Sequence, residues 1–209
     1  MDGNRRWAAS QSLSSLQGHK KGYETLKECL KWANKKGVKY IIVYAFSTEN
    51  WNRSKKEVDY LMNLLKGALT DELGSLREEN VKVKIIGKIE MLSEDLQDAV
   101  KKLEEDTKDA DGPTLVAAIS YGGRLEIIEA VNKAVQEGEK VDEESFSNLL
   151  WTDGIPNPDI IIRTGGEKRL SGFLPWQSVY SELFFVDTLW PDFSKEEFNK
   201  ILEDYSRIE

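Results

Sequence analysis

Apolar side chains recur along this chain with two different periods. Between residues 20 and 36 they stand at Tyr23, Leu26, Leu30 and Ala33, the spacing of an amphipathic helix, and Gly37 follows as a stop. Residues 38–46, VKYIIVYAF, form an apolar run rich in β-branched and aromatic side chains, the pattern of a buried strand. Helical spacing returns over 56–79, where Val58, Leu61, Met62, Leu65 and Leu69 share one side. VKVKIIGK at 81–88 predicts a second strand, and residues 92–105 a further helix. Asp111-Gly112-Pro113 marks a turn, and TLVAAIS at 114–120 reads as a third strand. A helix over 125–136 and a short polar-capped helix over 139–150 come next. A fourth strand falls within 159–163, and SELFFVDTLW supplies a fifth apolar segment. The last helix starts near Ser194, where Glu197 completes a capping-box pattern.

Strands alternating with helices predict an α/β domain with a mostly parallel sheet. In such sheets ligands collect beyond the carboxyl ends of the strands. The unusual polar stretches fall at those ends. FSTENWNR follows the first strand, SYGGR the third and RTGGEKR the fourth.

Composition narrows the classes. The chain has 209 residues, 40% of them hydrophobic and 32% charged, as expected of one globular domain. A net charge of -8 argues against duplex nucleic acid as the main partner but leaves room for a local basic pocket. The single cysteine, Cys29, builds no disulfide framework, and it is compatible with a reducing compartment. No apolar run reaches the length of a membrane span, and MDGNRRWAAS has no apolar core of a signal peptide. The cytoplasm is the expected location, with transient membrane contact open to a protein whose product is greasy.

Several residues carry chemistry. In RTGGEKRLS, Arg163 and Arg169 each present a planar fork to phosphate oxygens, Gly165 and Gly166 allow a tight turn, and Ser171 adds a hydroxyl. Taken alone, this stretch reads equally as a charged surface turn. Neither a P-loop nor a dinucleotide fingerprint is present. Near the start, Asp2 is a hard oxygen donor suited to Mg2+, Gly3 lets backbone approach a ligand, and Arg6 can meet phosphate. His19, the only histidine, can donate to phosphate or simply pack. Ser47, Asn50 and Arg53 lie beyond the first strand. Trp7, Phe46, Trp51 and Tyr44 line a greasy channel or belong to the core, with Tyr44 assigned to the core. The carboxylates of Glu105, Asp106 and Asp109 read as a solvated face.

Together these stretches resemble the cis-prenyltransferases, the family of undecaprenyl and dehydrodolichyl diphosphate synthases. The matching segments are MDGNRRWA, GHKKGYETL, VYAFSTENWNRSKKEVDYLM, ISYGGRLEI and PDIIIRTGGEKRLSGFLPWQSVYSELFFVDTLWPDF, in family order over nearly the whole chain. The resemblance implies a central, mostly parallel sheet surrounded by helices, a hydrophobic tunnel and a homodimer formed through the C-terminal part. It implies one catalytic domain over residues 1–209, with the family's first strand lying upstream of residue 1. The implied reaction joins isopentenyl diphosphate to an allylic diphosphate, commonly farnesyl diphosphate, with Mg2+.

Residue by residue, Asp2 matches the essential aspartate that handles Mg2+ and diphosphate. Gly3, Asn4, Arg6, His19 and Arg53 match the allylic diphosphate site. Ser47 and Asn50 match residues of positioning and deprotonation. Arg163, Arg169 and Ser171 match the isopentenyl diphosphate site, and Glu182 a carboxylate associated with magnesium around the dimer interface. Phe46 and Trp51 match the base of the substrate channel. Tyr121, Gly122, Gly123 and Arg124 match a further signature. A fold-retaining but non-catalytic partner is the competing reading, opposed by the joint presence of Asp2, Arg6, His19, Arg53, Arg163 and Arg169. A trans-prenyltransferase lacks support, because paired aspartate-rich motifs are missing, and so does nucleotide binding, because phosphate loops are.

Overall fold

The computed structural model describes residues 1–71, 73–138 and 140–208. In chain order the elements are α1 (Asn4–Ser10), α2 (Ser15–Lys35), β1 (Tyr40–Ser47), α3 (Lys55–Asp71), α4 (Leu73–Glu78) and β2 (Lys82–Ile86). Then come α5 (Glu94–Thr107), β3 (Thr114–Tyr121), α6 (Gly123–Glu137), α7 (Glu143–Ser147), β4 (Ile160–Arg163), β5 (Glu182–Phe185) and α8 (Lys195–Tyr205). The alternation predicted from apolar spacing is present, and every strand pair is parallel.

Local chemistry explains where the boundaries differ from the apolar pattern. Helix α2 starts well before residue 20, because Ser14 and Gln17 form a capping box: the Ser14 N–H donates to Gln17 Oε1 at 3.0 Å. The helix expected over 56–79 is found as α3 and α4, and residue 72 between them lies outside the described residues. The helix expected over 139–150 shortens to α7, where Asp142 accepts from the Ser145 N–H at 2.8 Å; residue 139 is likewise outside the described residues. Helix α1 was not anticipated. Seven residues are too few to display a helical period.

The strands fall into two groups. One sheet has the order β1-β3-β2, and β4 pairs with β5 in a second. The first packs on α3 and α5 through Phe46, Leu69, Val83, Leu96, Leu103 and Ile119. Along the same face Leu26, Ala33 and Val43 meet Trp190, Phe193 and Phe198, which joins α2 and β1 to the C-terminal segment, and the opposite face packs Ile42, Tyr44, Ile86, Val116 and Ala118 against Phe173 and Leu174.

Between the two sheets, β1 and β4 face each other across a cavity of about 740 Å³, walled by Ile41, Ile42 and Val43 on one side and Ile160, Ile161 and Ile162 on the other. Met1 and Asp2 line this cavity with Ser47 and Arg163, at the carboxyl ends of both strands. Among the described residues no helix is long and apolar enough to cross a membrane.

Candidate active site

The carboxyl ends of β1, β3 and β4 carry the polar stretches singled out above, and the first residues of the chain are tied to them. The Asp2 N–H donates to Thr164 Oγ1 at 3.0 Å, and the Thr164 hydroxyl donates back to the Asp2 carbonyl at 2.9 Å. The Trp190 N–H donates to the same carbonyl at 2.9 Å. Thr164 is buried, so this pairing satisfies groups that water cannot reach.

The Asp2 side chain then meets two arginines. Arg163 Nη2 donates to Oδ2 at 3.0 Å, and Arg6 Nη2 stands 3.5 Å from Oδ1. Arg6 also donates through Nη1 to the Gly165 carbonyl at 2.8 Å. The other arm of Arg163 donates to Ser171 Oγ at 2.8 Å and to the Arg169 carbonyl. Gly165 has φ +89°, a conformation that favours glycine, and a Cβ there would fall 2.5 Å from Arg6 Nη2, so a side chain at this position would displace the Arg6 guanidinium. Arg6 is thus grouped with Arg163 through Asp2, whereas the resemblance placed these two arginines in different subsites.

His19 and Arg53 meet elsewhere, on Glu57, which sequence reasoning did not single out. Arg53 Nη1 donates to Glu57 Oε1 at 3.0 Å, His19 Nε2 lies 3.2 Å from it, and Arg5 Nε 3.8 Å. Glu57 is 8% exposed. Burial works to raise its pKa, but the His19 hydrogen bond and the Arg53 and Arg5 charges win, and it is held below the ordinary carboxylate value. His19 is pushed below the usual imidazole value, first by burial and then by Arg53 and Arg5, against the opposing hydrogen bond to Glu57. One signal for Glu57 was legible. Ser54 and Glu57 stand at the capping spacing, with Glu57 four residues after Arg53.

The remaining candidates divide. Ser47 and Asn50 line the same cavity as Asp2, Arg53, Arg163 and Ser171, and the Ser47 N–H donates to Asn50 Oδ1 at 3.1 Å. Gly3 precedes α1 and packs on Leu189. Asn4 turns toward α2: a Cβ on Gly22 would lie 2.1 Å from Asn4 Oδ1, which is buried without a partner. Arg169 pairs with Glu167. The Trp7 indole donates to Asp192 at 2.8 Å, and Trp7 lines neither large cavity. Gly123 of the YGGR stretch donates its N–H to the Gly172 carbonyl at 2.9 Å; a Cβ there would strike Pro175 Cδ at 2.1 Å. That contact holds the segment carrying Ser171.

A second cavity, of about 870 Å³, lies between α2, α3 and the sheet, with Leu26, Leu30, Leu61, Leu65, Ala117 and Ile119 among its walls. Phe46 lines it and stacks edge-on against Trp51, ring centroids 5.0 Å apart. Met1, Val43, Tyr44, Trp190 and Phe193 line both cavities. Tyr44 therefore stands in the partition between them. Its ring stacks on Phe173 at 4.9 Å, and its hydroxyl donates to the Tyr121 carbonyl at 3.1 Å.

Mg2+ takes few protein oxygens and fills its shell with water and phosphate. Among the described residues no three His, Cys, Asp or Glu side chains gather as a ligand cluster. Asp2 offers one half-exposed carboxylate flanked by Arg163 and Arg6 at the polar end of this otherwise largely apolar cavity, which fits an ion arriving with a diphosphate rather than a protein-caged one. Glu182 does not join it within one chain. Glu182 pairs with Ile160 at the start of β4, whereas Asp2 bonds Arg163 at its end, and Glu182 does not line the cavity that holds Asp2.

Burial favours the neutral form of Asp2, and the Arg163 hydrogen bond and charge, then Arg6, more than offset it, so its pKa is depressed. A depressed carboxyl stabilises the fold fully above its unfolded value, near 3.8, and loses that contribution as pH falls through the lower folded value. The stability difference between wild type and Asp2→Asn, measured by urea unfolding, should therefore shrink as the pH falls below about 4. A difference unchanged at low pH would show that the carboxylate charge is not what Arg163 holds.

Residues 1–209 match the family model described as putative undecaprenyl diphosphate synthase. An isoprenyl transferase of Thermotoga maritima is 46% identical over 214 residues, covering 100% of this chain and 92% of the relative. The ditrans,polycis-undecaprenyl-diphosphate synthase ((2E,6E)-farnesyl-diphosphate specific) of Micrococcus luteus is 45% identical, over 98% of this chain and 85% of its own. Lavandulyl diphosphate synthase from Lavandula x intermedia, solved with dimethylallyl diphosphate, superposes with a TM-score of 0.92 at 34% identity, covering 98% of this chain and 92% of that one. A probable undecaprenyl diphosphate synthase from Campylobacter jejuni gives 0.81 at 33% identity, over 90% and 89%. With the sheet, the arginine-clamped Asp2 and the full-length match in agreement, the chain belongs to the cis-prenyltransferase (undecaprenyl/isoprenyl diphosphate synthase) family.

Proposed function

We propose that this chain condenses isopentenyl diphosphate with an allylic diphosphate, lengthens the tail by one cis unit per cycle and releases diphosphate, with Mg2+. The observation that carries this reading is the Asp2 carboxylate held between Arg163 and Arg6 at the end of β4, with an apolar cavity of about 870 Å³ across a shared wall. The lavender relative was solved with an allylic diphosphate, and the Micrococcus relative is named for farnesyl diphosphate, which supports a primer of that class.

The allylic C–O bond breaks, and its electron pair leaves with the diphosphate. The isopentenyl alkene forms the new C–C bond, and loss of a proton from carbon creates the new double bond. Arg163 and Ser171, with Arg169, bind isopentenyl diphosphate, while Arg53, His19, Gly3 and Asn4 serve the allylic one. Arg6 and Asp2 lie between the two groups. Preorganised guanidinium donors stabilise the charge that develops on the leaving diphosphate. Mg2+ supplies further neutralisation of that charge, and Asp2 is the residue that would hold it. The Ser47 N–H fixes Asn50 by its oxygen, leaving the amide NH2 as the donor toward a ligand. The tail occupies the apolar cavity, where each buried CH2 contributes about 0.8 kcal/mol.

Two further expectations have structural support. Ile128, Val131 and Val135 form an exposed apolar face on α6, and Val179, Tyr180 and Leu183 are exposed nearby in sequence to Glu182. This apolar surface suits a homodimer that brings Glu182 to its interface. The slot between β1 and β4 suits one extended apolar strand running into Met1, whose buried α-amino group has its pKa pushed down to about 6 by that burial. Such a strand would join both sheets into one catalytic domain.

Purified protein given Mg2+, dimethylallyl, geranyl or farnesyl diphosphate and radiolabelled isopentenyl diphosphate should incorporate label into longer products. No incorporation with any primer would overturn the reading. Asp2→Ala should lower turnover by at least about a hundredfold, since a removed transition-state group typically costs that much. In analytical ultracentrifugation the wild type should sediment as a dimer, and the Val135→Glu/Tyr180→Glu variant as a monomer; a monomeric wild type at micromolar concentration would remove the dimer. A chain extended at its start by an apolar strand should melt more than about 5 °C higher than the 209-residue chain. Equal melting would leave the slot to another occupant.

A further inference from the structure

The two cavities meet near one buried carboxylate. Arg53 lines the cavity that holds Asp2, Ser47 and Asn50, and His19 lines the apolar one. Both touch Glu57 Oε1, at 3.0 and 3.2 Å, and Arg5 approaches the same oxygen at 3.8 Å. The three basic side chains come from α1, α2 and the turn after β1, and Glu57 stands in the first turn of α3. A helix start gains from an acidic residue, but an exposed one serves that purpose. Glu57 is instead 8% exposed, with a cost in desolvation that only its partners offset.

We propose that Glu57 is a positioning residue. It holds Arg53 and Arg5 as a pair at the junction of the two cavities, ready for the head group of an allylic diphosphate. The inference rests on the function proposed above and adds a residue to it. Without Glu57 the two guanidinium groups repel each other across a short gap, and Arg53 is free to swing to solvent. With it, one negative charge faces two positive ones, so a surplus remains for the ligand. Holding the fork in place beforehand lowers the ordering cost of binding.

The test is a double-mutant cycle on the binding of farnesyl thiolodiphosphate, an unreactive allylic analogue, measured by calorimetry with Mg2+. Glu57→Gln should weaken binding by about tenfold, and Arg53→Gln by a similar factor. In the Arg53→Gln background, Glu57→Gln should cost less than about threefold, because its action passes through Arg53. Losses that multiply, or a Glu57→Gln variant that binds as tightly as wild type, would overturn the proposal. A folded wild type that does not bind the analogue overturns the function itself, so the two failures are distinct.

The single histidine gives a second readout. His19 should titrate at lower pH in Glu57→Gln than in wild type, by NMR of the imidazole, because the anion favouring its protonated form is gone. An unchanged titration would show that the contact is not made in solution. Should Glu57→Gln fail to fold, Glu57→Asp withdraws the carboxylate by one methylene, and the same cycle applies.

Discussion

The guanidinium group of Arg163 is the part on which the site depends. It ends β4, so its backbone is fixed by the pairing with β5. One arm reaches Asp2, 161 residues away, and the other reaches Ser171 and the Arg169 carbonyl. A planar fork with several donors can fasten the first residues, a strand end and a loop at once; an ammonium group has no such geometry. The Arg163 side chain is 14% exposed, so the bond to Asp2 is shielded from the solvent that weakens surface ion pairs. Thr164 and Trp190 hold the Asp2 backbone independently. The carboxylate is therefore placed by the chain even while its side chain stays open to a ligand.

Charge in this protein is distributed against its average. The whole chain carries -8, yet each of the two buried-edge clusters sets one carboxylate against two arginines. Each carboxylate keeps its neighbours from repelling one another, and each leaves positive charge unspent. In a partly desolvated cavity that residue acts over a lower dielectric than at the surface. A strongly basic protein is not needed to bind a diphosphate. What is needed is a few cations held in place beside the ligand by a carboxylate they share.

The apolar periods made most of the fold legible. Residues 38–46 and 114–120 read as strands because both faces are covered, and α5 and α8 read as helices because one face is. The failures have local causes. Helix α1 is too short to show a period, and the true start of α2 was signalled by Ser14 and Gln17 rather than by apolar spacing. The sequence order of the strands could not reveal that β3 lies between β1 and β2. Among site residues, Asp2, Arg6 and Arg163 were legible through their residue types, but their joining was not, since the contact spans nearly the whole chain. Glu57 was overlooked because its significance is burial, which no single residue type announces. Trp7 was read as channel or core, and its indole bonds Asp192.

The boundary between the two cavities follows from the same physics. An isoprene unit has five carbons, and burying it contributes on the order of 4 kcal/mol at about 0.8 per carbon. Burying a diphosphate in the same apolar space would cost far more than that. On the proposed reading, the protein must therefore hold polar and apolar surfaces side by side without letting them mix. It does so with aromatic rings whose polar tips are tied down. Tyr44 gives its hydroxyl to the Tyr121 carbonyl, and the Trp51 indole donates to Ser120 Oγ at 3.0 Å. With those tips satisfied, the rings can present apolar faces without leaving a donor unpaired. A tail can then slide past them while the arginines keep the head group where it is.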